Sequence, residues 1–322
     1  MKNKIFLNLS VILLLLTGIV AHSQKNKTSE QKNMKTIPIY GKTIAANGIN
    51  VYYRESGPKD APVLLLLHGY PTSSFMFRNL IPQLNKKYHI IAPDLPGFGF
   101  TDMPPRDKFA YTFDNFAATM QDFINQLGLK RFAIYVFDYG APTGYRLAMA
   151  NPEKITGIIS QNGNAYEEGL SDGWNPIRKY WENPTTENRN SLKEFVELKI
   201  TRWQYEEGVA DKSLIAPETY TLDQHFLDRP GSADIQLDIL LDYRTNVKLY
   251  PAFHDYFKKY QPKFLAVWGD KDPYFLPAGA KAYKKDIPDA AIKFFDTGHF
   301  ALETHANEIA EEILKFMATL PQ

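Results

Sequence analysis

The chain is 322 residues long and 44% hydrophobic, with 37 Lys and Arg against 36 Asp and Glu, a formal net charge of +1. So even a balance offers no electrostatic attraction to nucleic acid or to an anionic membrane surface. With no cysteine in the chain, disulfides, thiolate metal sites, a cysteine nucleophile and a lipid-modified cysteine are excluded, and the fold must hold by its core alone, which this length can supply as one large domain with an insertion.

In chain order, Met1-Lys-Asn-Lys-Ile-Phe, the apolar stretch through Leu13–Leu16 to Val20, and Ala21-His-Ser23 make the three zones of a secretory signal peptide over residues 1–23. That pattern predicts a periplasmic or secreted protein. The apolar stretch falls short of the roughly 20 residues that span a bilayer, so an uncleaved anchor is the alternative rather than the first reading. Residues 24–36 are polar and lysine-rich and read as a flexible leader. Strand-like runs follow at Ile37–Ile44, Ile49–Glu55, Val63–Leu67, His89–Ala92, Phe132–Phe137, Ile155–Ser160, Phe264–Trp268 and Ala291–Phe295. Helical patterns follow most of them from the third onward, as at Thr112–Leu127 and Leu302–Met317. A continuous apolar run such as Val63–Leu67 suits a strand covered on both faces, as in a parallel sheet. The alternation stops between residues 165 and 260, a stretch rich in Trp, Tyr, Pro and Glu with helical spacing. The spacing therefore predicts an α/β fold with a mostly parallel central sheet over 37–164 and 261–322, and a helical cap over 165–260 at the carboxyl ends of the strands, where open α/β sheets bind ligands. No later segment reads as membrane-spanning.

Phe132 to Gly144 reads as an apolar strand, a tight turn and a helix start, with Asp138 at the turn. Gly140 and the small Ala141 let helix and strand pack closely around such an elbow, although Val136 is bulkier than the Gly or Ala usual two residues before a nucleophile. A serine there makes an acyl-enzyme, whereas a carboxylate attacks saturated carbon and becomes an alkyl ester. The other reading of Asp138 is a plain cap of the following helix. An aspartyl ester needs a base to activate water and an acid to orient that base. His299, in Thr297-Gly-His-Phe300 after the last strand, is the candidate base; Asp272, in Trp268-Gly-Asp-Lys-Asp-Pro273 after the seventh, is the candidate acid, with Asp270 its competitor. Gln161-Asn-Gly-Asn164 after the sixth strand offers no carboxylate. The order Asp138, Asp272, His299 is that of a nucleophile, acid and base carried by successive strand ends of an α/β sheet. The backbone N–H of Tyr70, in His68-Gly-Tyr-Pro71, would pair with that of Tyr139 as an oxyanion hole, and His68 reads as structural.

These segments, with Thr72-Ser-Ser74 and Pro93-Asp-Leu-Pro-Gly-Phe-Gly99, resemble the epoxide hydrolase and haloalkane dehalogenase group of α/β-hydrolases, from about Ile37 to the C-terminus. The resemblance implies the α/β-hydrolase fold and an aspartyl-ester mechanism that uses no cofactor and no metal. Haloalkane dehalogenases hold the halide with N–H donors, usually a Trp after the nucleophile and a second Trp or Asn; here those positions are Tyr139 and Tyr70. Epoxide hydrolases use two cap tyrosines over the nucleophile. Leu241-Asp-Tyr243-Arg-Thr-Asn246 resembles the motif of one, and Tyr180 in Arg178-Lys-Tyr-Trp181 stands at a suitable distance for the other, with Tyr205 its alternative. An aromatic residue inside His-Gly-x-Pro is the epoxide hydrolase form. The expectation is thus an exported hydrolase that opens hydrophobic epoxides to diols, with water and a small hydrophobic substrate as its partners and no stable membrane insertion after processing. A haloalkane or haloacid dehalogenase using the same triad is the alternative, and a silent binding protein a further one. Trp174, Trp181 and Trp203 in the cap point to an apolar substrate pocket.

Overall fold

Alternate residues of the apolar run Val63–Leu67 go to different sides: Leu65 and Leu67 join one buried cluster with Phe116, Met120 and Tyr145, while Leu64 and Leu66 join another with Ile309, Ile313 and Met317. That is the period-two signature of a strand covered by helices on both faces. The computed structural model describes residues 36–321. The signal peptide expected at 1–23 and the leader at 24–36 lie outside the described residues, apart from Thr36.

The strands are β1 (Tyr40–Ala46), β2 (Ile49–Ser56), β3 (Val63–Leu67), β4 (His89–Pro93), β5 (Phe132–Phe137), β6 (Ile155–Gln161), β7 (Phe264–Gly269) and β8 (Ala291–Phe295). They form one sheet in the order β1-β2-β4-β3-β5-β6-β7-β8. β2 pairs antiparallel with both β1 and β4; every other pairing is parallel. The first strand begins at Tyr40 rather than Ile37, where pairing with Glu55 of β2 starts. The expected helix Leu302–Met317 is two helices, Ala301–Thr304 and Ala306–Met317. They break at His305, where the Thr304 hydroxyl bonds the His305 ring (2.8 Å) and also reaches back to Thr297 (2.8 Å), a local side-chain competition with helical backbone.

Between β6 and β7 the chain builds the helices Asn175–Glu182, Leu198–Glu206, Pro217–Leu227, Ser232–Asp242 and Arg244–Tyr260. They are tied to the sheet layer by specific bonds. Arg229 donates to the carbonyls of Gly97 (2.8 Å) and Gly99 (3.2 Å), and Arg146, on the helix Gly140–Ala150 after β5, donates to Asn246 Oδ1 (2.6 Å). Each is a charge-assisted bond to a carbonyl or amide oxygen, stronger than a neutral one and directional. Among the described residues no helix is long and apolar enough to cross a membrane.

Candidate active site

Asp138 is the first residue after β5 and has φ +47°, a left-handed backbone that a side chain adopts only where its surroundings impose it. The surroundings are visible: a Cβ on Gly69 would stand 2.3 Å from Asp138 Oδ1, so only glycine lets the β3 loop come this close. The bulk of Val136 is accommodated at Gly144, where a Cβ would meet its Cγ1 at 2.5 Å. The carboxylate does not cap the following helix, whose cap position is Tyr139 without a side-chain bond. Instead Oδ1 accepts from the backbone N–H of Tyr70 (2.6 Å), and the backbone N–H of Tyr139 also bonds the carboxylate. The two amides expected to hold an oxyanion therefore both bond the Asp138 carboxylate itself.

His299 follows β8 and is buried with its ring against Phe137 and Phe275. Its Nδ1 donates to Asp272 Oδ2 (2.7 Å), because a carboxylate can only accept, and this leaves Nε2 with its lone pair facing Asp138 Oδ2 at 4.0 Å. Asp272 is fixed on both oxygens: Oδ1 accepts from the N–H groups of Tyr274 (2.7 Å) and Phe275 (3.0 Å), and Oδ2 from Asn162 Nδ2 (2.7 Å) as well as from His299. Asp270 is exposed and turned away. Asn162 is a residue that sequence reasoning missed, because an amide in a turn carries no local signal of which distant carboxylate it will meet. It does not replace the acid but holds it, from a left-handed turn (φ 45°) that asparagine tolerates well. His68 accepts from the Leu95 N–H (2.8 Å) and pairs with the Gly69 carbonyl (2.9 Å), and burial holds its ring below the ordinary imidazole range.

Beside Asp138 lies a cavity. Trp174, Ile177, Phe195, Leu240 and Phe275 supply its apolar wall, and Tyr70, Tyr139, Gln204 and Tyr274 its polar one beside Asp138 and His299. The Tyr70 hydroxyl donates to the Phe195 carbonyl (2.6 Å), whereas those of Tyr139 and Tyr274 have no side-chain hydrogen bond among the described residues. The two expected cap tyrosines are not in this lining. Tyr180 is buried with its hydroxyl accepting from Arg189 (3.1 Å), which ties it to an ion pair on the far side of its helix. Tyr243 is fully buried one ring behind the wall, its ring 4.5 Å from that of Trp174 and 5.9 Å from that of Tyr139, and its hydroxyl bonded to Tyr250. Tyr205 donates to Asp223 Oδ2 (2.5 Å) and stacks on Phe300 (3.7 Å), away from the cavity. Sequence reasoning missed Tyr274 and Gln204 altogether. Tyr274 carried a usable signal, since it lies two residues after the acid on the same loop.

Three of the four indoles are committed: Trp174 donates to the Tyr274 carbonyl (3.2 Å), Trp181 to Leu240 (2.7 Å) and Trp268 to Phe275 (2.8 Å). The pattern Gly-x-Ser-x-Gly occurs once, from Gly169 to Gly173, yet it sits in short turns after β6 rather than at a strand–helix elbow. There Ser171 donates to the Pro273 carbonyl (2.6 Å) and accepts from the Gly173 N–H (3.1 Å), the bonding of a turn residue and not of a nucleophile.

Burial pushes the Asp138 carboxyl up to about 6, against the downward pull of the His299 charge and of the Tyr70 and Tyr139 N–H groups. Burial alone would lower His299; the Asp272 and Asp138 carboxylates outweigh it and leave the ring above its ordinary range. Among the described residues no group of side chains is arranged to hold a metal ion.

A sequence profile of the alpha/beta hydrolase fold matches residues 62–306. An uncharacterised hydrolase of Saccharomyces cerevisiae is 46% identical over 283 residues, which cover 87% of this chain and 97% of that one. A haloalkane dehalogenase of Psychrobacter cryohalolentis is 26% identical over 294 residues, 85% of this chain and 89% of the relative. Among solved structures, an epoxide hydrolase of Vigna radiata superposes with a TM-score of 0.70 at 21% identity, covering 87% of this chain and 98% of that one. A haloalkane dehalogenase of Bradyrhizobium elkani superposes with a TM-score of 0.68 at 24% identity, covering 87% and 98%. These two likenesses are of fold. The profile runs from the start of β3 past the His299 loop, so every residue of the site just described falls inside it, and the chain belongs to the alpha/beta hydrolase fold family.

Proposed function

We propose that the protein opens small epoxides to vicinal diols through an alkyl ester of Asp138. The observation that carries this reading is the unequal setting of the two Asp138 oxygens: Oδ1 accepts from the Tyr70 N–H (2.6 Å), with the Tyr139 N–H also bonding the carboxylate, while Oδ2 faces His299 across 4.0 Å. Oδ2 attacks an oxirane carbon, the C–O bond of the ring breaks, and the ring oxygen leaves as an alkoxide that takes a proton. His299 Nε2 then removes a proton from water, which adds to the ester carbonyl. The resulting oxyanion forms on Oδ1, beside the Tyr70 and Tyr139 N–H groups, and collapses as the Cγ–Oδ2 bond breaks, the departing diol oxygen taking the proton from His299.

Two phenols serve the ring oxygen in this reading. Tyr274 lines the cavity with a hydroxyl that has no side-chain partner. Tyr243 is the second: burial first, then Tyr250 and the Asp138 charge, hold it well above the ordinary phenol range, so it keeps its proton. In this reading its hydroxyl comes forward past Tyr139 and Trp174 to the ring oxygen, leaving Tyr250, which Asn164 Nδ2 holds from behind (3.1 Å). Phenols stabilise an alkoxide. A departing halide would instead need N–H donors, and the indoles beside the cavity give theirs to backbone carbonyls.

A panel of small epoxides and haloalkanes, scored for diol and for free halide, tests the reading. Diol without halide is the expected result; halide from haloalkanes with no diol from any epoxide would reassign the protein as a dehalogenase. The pH dependence is a second test. Asp138 attacks only when ionised, so the single-turnover alkylation rate should fall as pH drops through about 6. His299→Gln removes the charge that holds Asp138 down, so the same limb should move above that value. A stopped-flow profile whose limb stays put in the variant would mean that Asp138 and His299 do not interact.

A further inference from the structure

Gln204 is the one uncharged amide in the cavity wall. It is 2% exposed, and its Nε2 is buried without a hydrogen-bond partner. A buried donor left unmade is costly, and of the six buried unpaired side-chain atoms among the described residues Gln204 Nε2 is the one that belongs to a cavity-lining residue. The backbone that carries Gln204 is held in place. Its helix, Leu198–Glu206, is clamped to the helix Pro217–Leu227 by Thr201 donating to Gln224 Oε1 (2.9 Å) and by the adjacent Tyr205 donating to Asp223 Oδ2 (2.5 Å). The side chain has no ionisable proton to transfer, so it is neither nucleophile nor acid. What it offers is a fixed N–H and C=O pair next to a wall that is otherwise hydrocarbon on the cap side, through Trp174, Ile177, Phe195 and Leu240.

From this we propose that Gln204 selects the substrate: the accepted epoxides carry a hydrogen-bonding oxygen, such as a hydroxyl, ether or carbonyl, beside the oxirane. The inference rests on the epoxide reading above and deepens it. A substrate oxygen that reaches this amide supplies the missing partner, whereas an apolar substrate leaves it buried and unpaired throughout turnover. A site built around such a group rejects an analogue that lacks the matching atom far more strongly than an apolar pocket rejects a missing methylene. The expectation of a purely hydrophobic substrate is thereby narrowed to a small, oxygenated one.

Glycidol and 1,2-epoxybutane differ only by a hydroxyl in place of a methyl group, so they isolate this contact. Wild type should favour glycidol in kcat/KM by roughly 10- to 100-fold. Gln204→Met, close in length and shape, should bring the ratio near one, mainly by losing glycidol turnover. Gln204→Leu serves as the second variant, and thermal melting checks that both fold. An unchanged ratio in folded variants, or a wild type that prefers 1,2-epoxybutane, overturns the proposal. Ligand-observed NMR with cyclopentanone against methylcyclopentane tests the same contact without turnover: tighter binding of the ketone, lost in Gln204→Met, is expected, and equal binding in wild type and variant overturns it. If wild type opens no epoxide, the functional reading fails and the NMR comparison alone decides the role of Gln204.

Discussion

His299→Gln is expected to stop the enzyme halfway, with the substrate left attached to Asp138. In the proposed mechanism the variant keeps Asp138 and both oxyanion amides, and removes the imidazole whose Nε2 faces Oδ2 at 4.0 Å. Ester formation needs no base, whereas its hydrolysis does, so the second step should slow by roughly 10²- to 10⁴-fold while the first persists. Intact-protein mass spectrometry should show a shift equal to one substrate. Peptide mapping should place it on Asp138, and Asp138→Asn should show no adduct and almost no turnover. In wild type, a single turnover in oxygen-18 water should put the label into Asp138, because the diol keeps the aspartyl oxygen and water replaces it. Label in the first-turnover diol would mean that water attacks the substrate directly, and the nucleophile assignment would fall with it.

The second large effect is expected at the phenols. Tyr274→Phe and Tyr243→Phe each remove one hydroxyl without opening a cavity, so each should slow alkylation by roughly 10- to 1,000-fold and leave ester hydrolysis intact, and the double variant should lose more than either. Tyr180→Phe is the control: its hydroxyl serves Arg189, outside the cavity, and its kinetics should match wild type. Pre-steady-state measurement separates the two steps. If alkylation is undiminished in both Tyr274→Phe and Tyr243→Phe, neither phenol protonates the ring oxygen. If only Tyr274→Phe is impaired, Tyr243 is a packing residue behind Tyr139 and the resemblance that singled it out does not extend to its role.

How much of this was legible without coordinates depends on the range of the physical signal. The apolar runs that became β3, β5 and β7 and the turn residues after them are local patterns, so the sheet, the elbow at Asp138 and the loops bearing Asp272 and His299 could all be read along the chain. Choosing Asp272 over Asp270 already exceeded that range. The two lie two residues apart on one loop, and only the position of His299 shows which is buried beside it and which is exposed.

In the cap the chain alone determines helical spacing and an aromatic character, and no more. Tyr180, Tyr205 and Tyr243 look alike in sequence, and each has its hydroxyl taken by a partner distant along the chain or on another element: Arg189, Asp223 and Tyr250. Gln204 precedes Tyr205, yet one lines the cavity and the other stacks on Phe300 outside it. Neighbouring residues on a helix point about 100° apart, so which one meets the substrate is decided by how the helix is rolled against its neighbours. Asn162 shows the same dependence, since an amide in a turn becomes a support for Asp272 only when β6 and β7 lie side by side. The sequence by itself determined the fold, the order of the chemical groups along the chain and the carboxylate at the elbow, because those follow from contiguous residues. The tertiary structure alone decided which polar groups face the cavity, because that depends on packing between elements far apart in the chain.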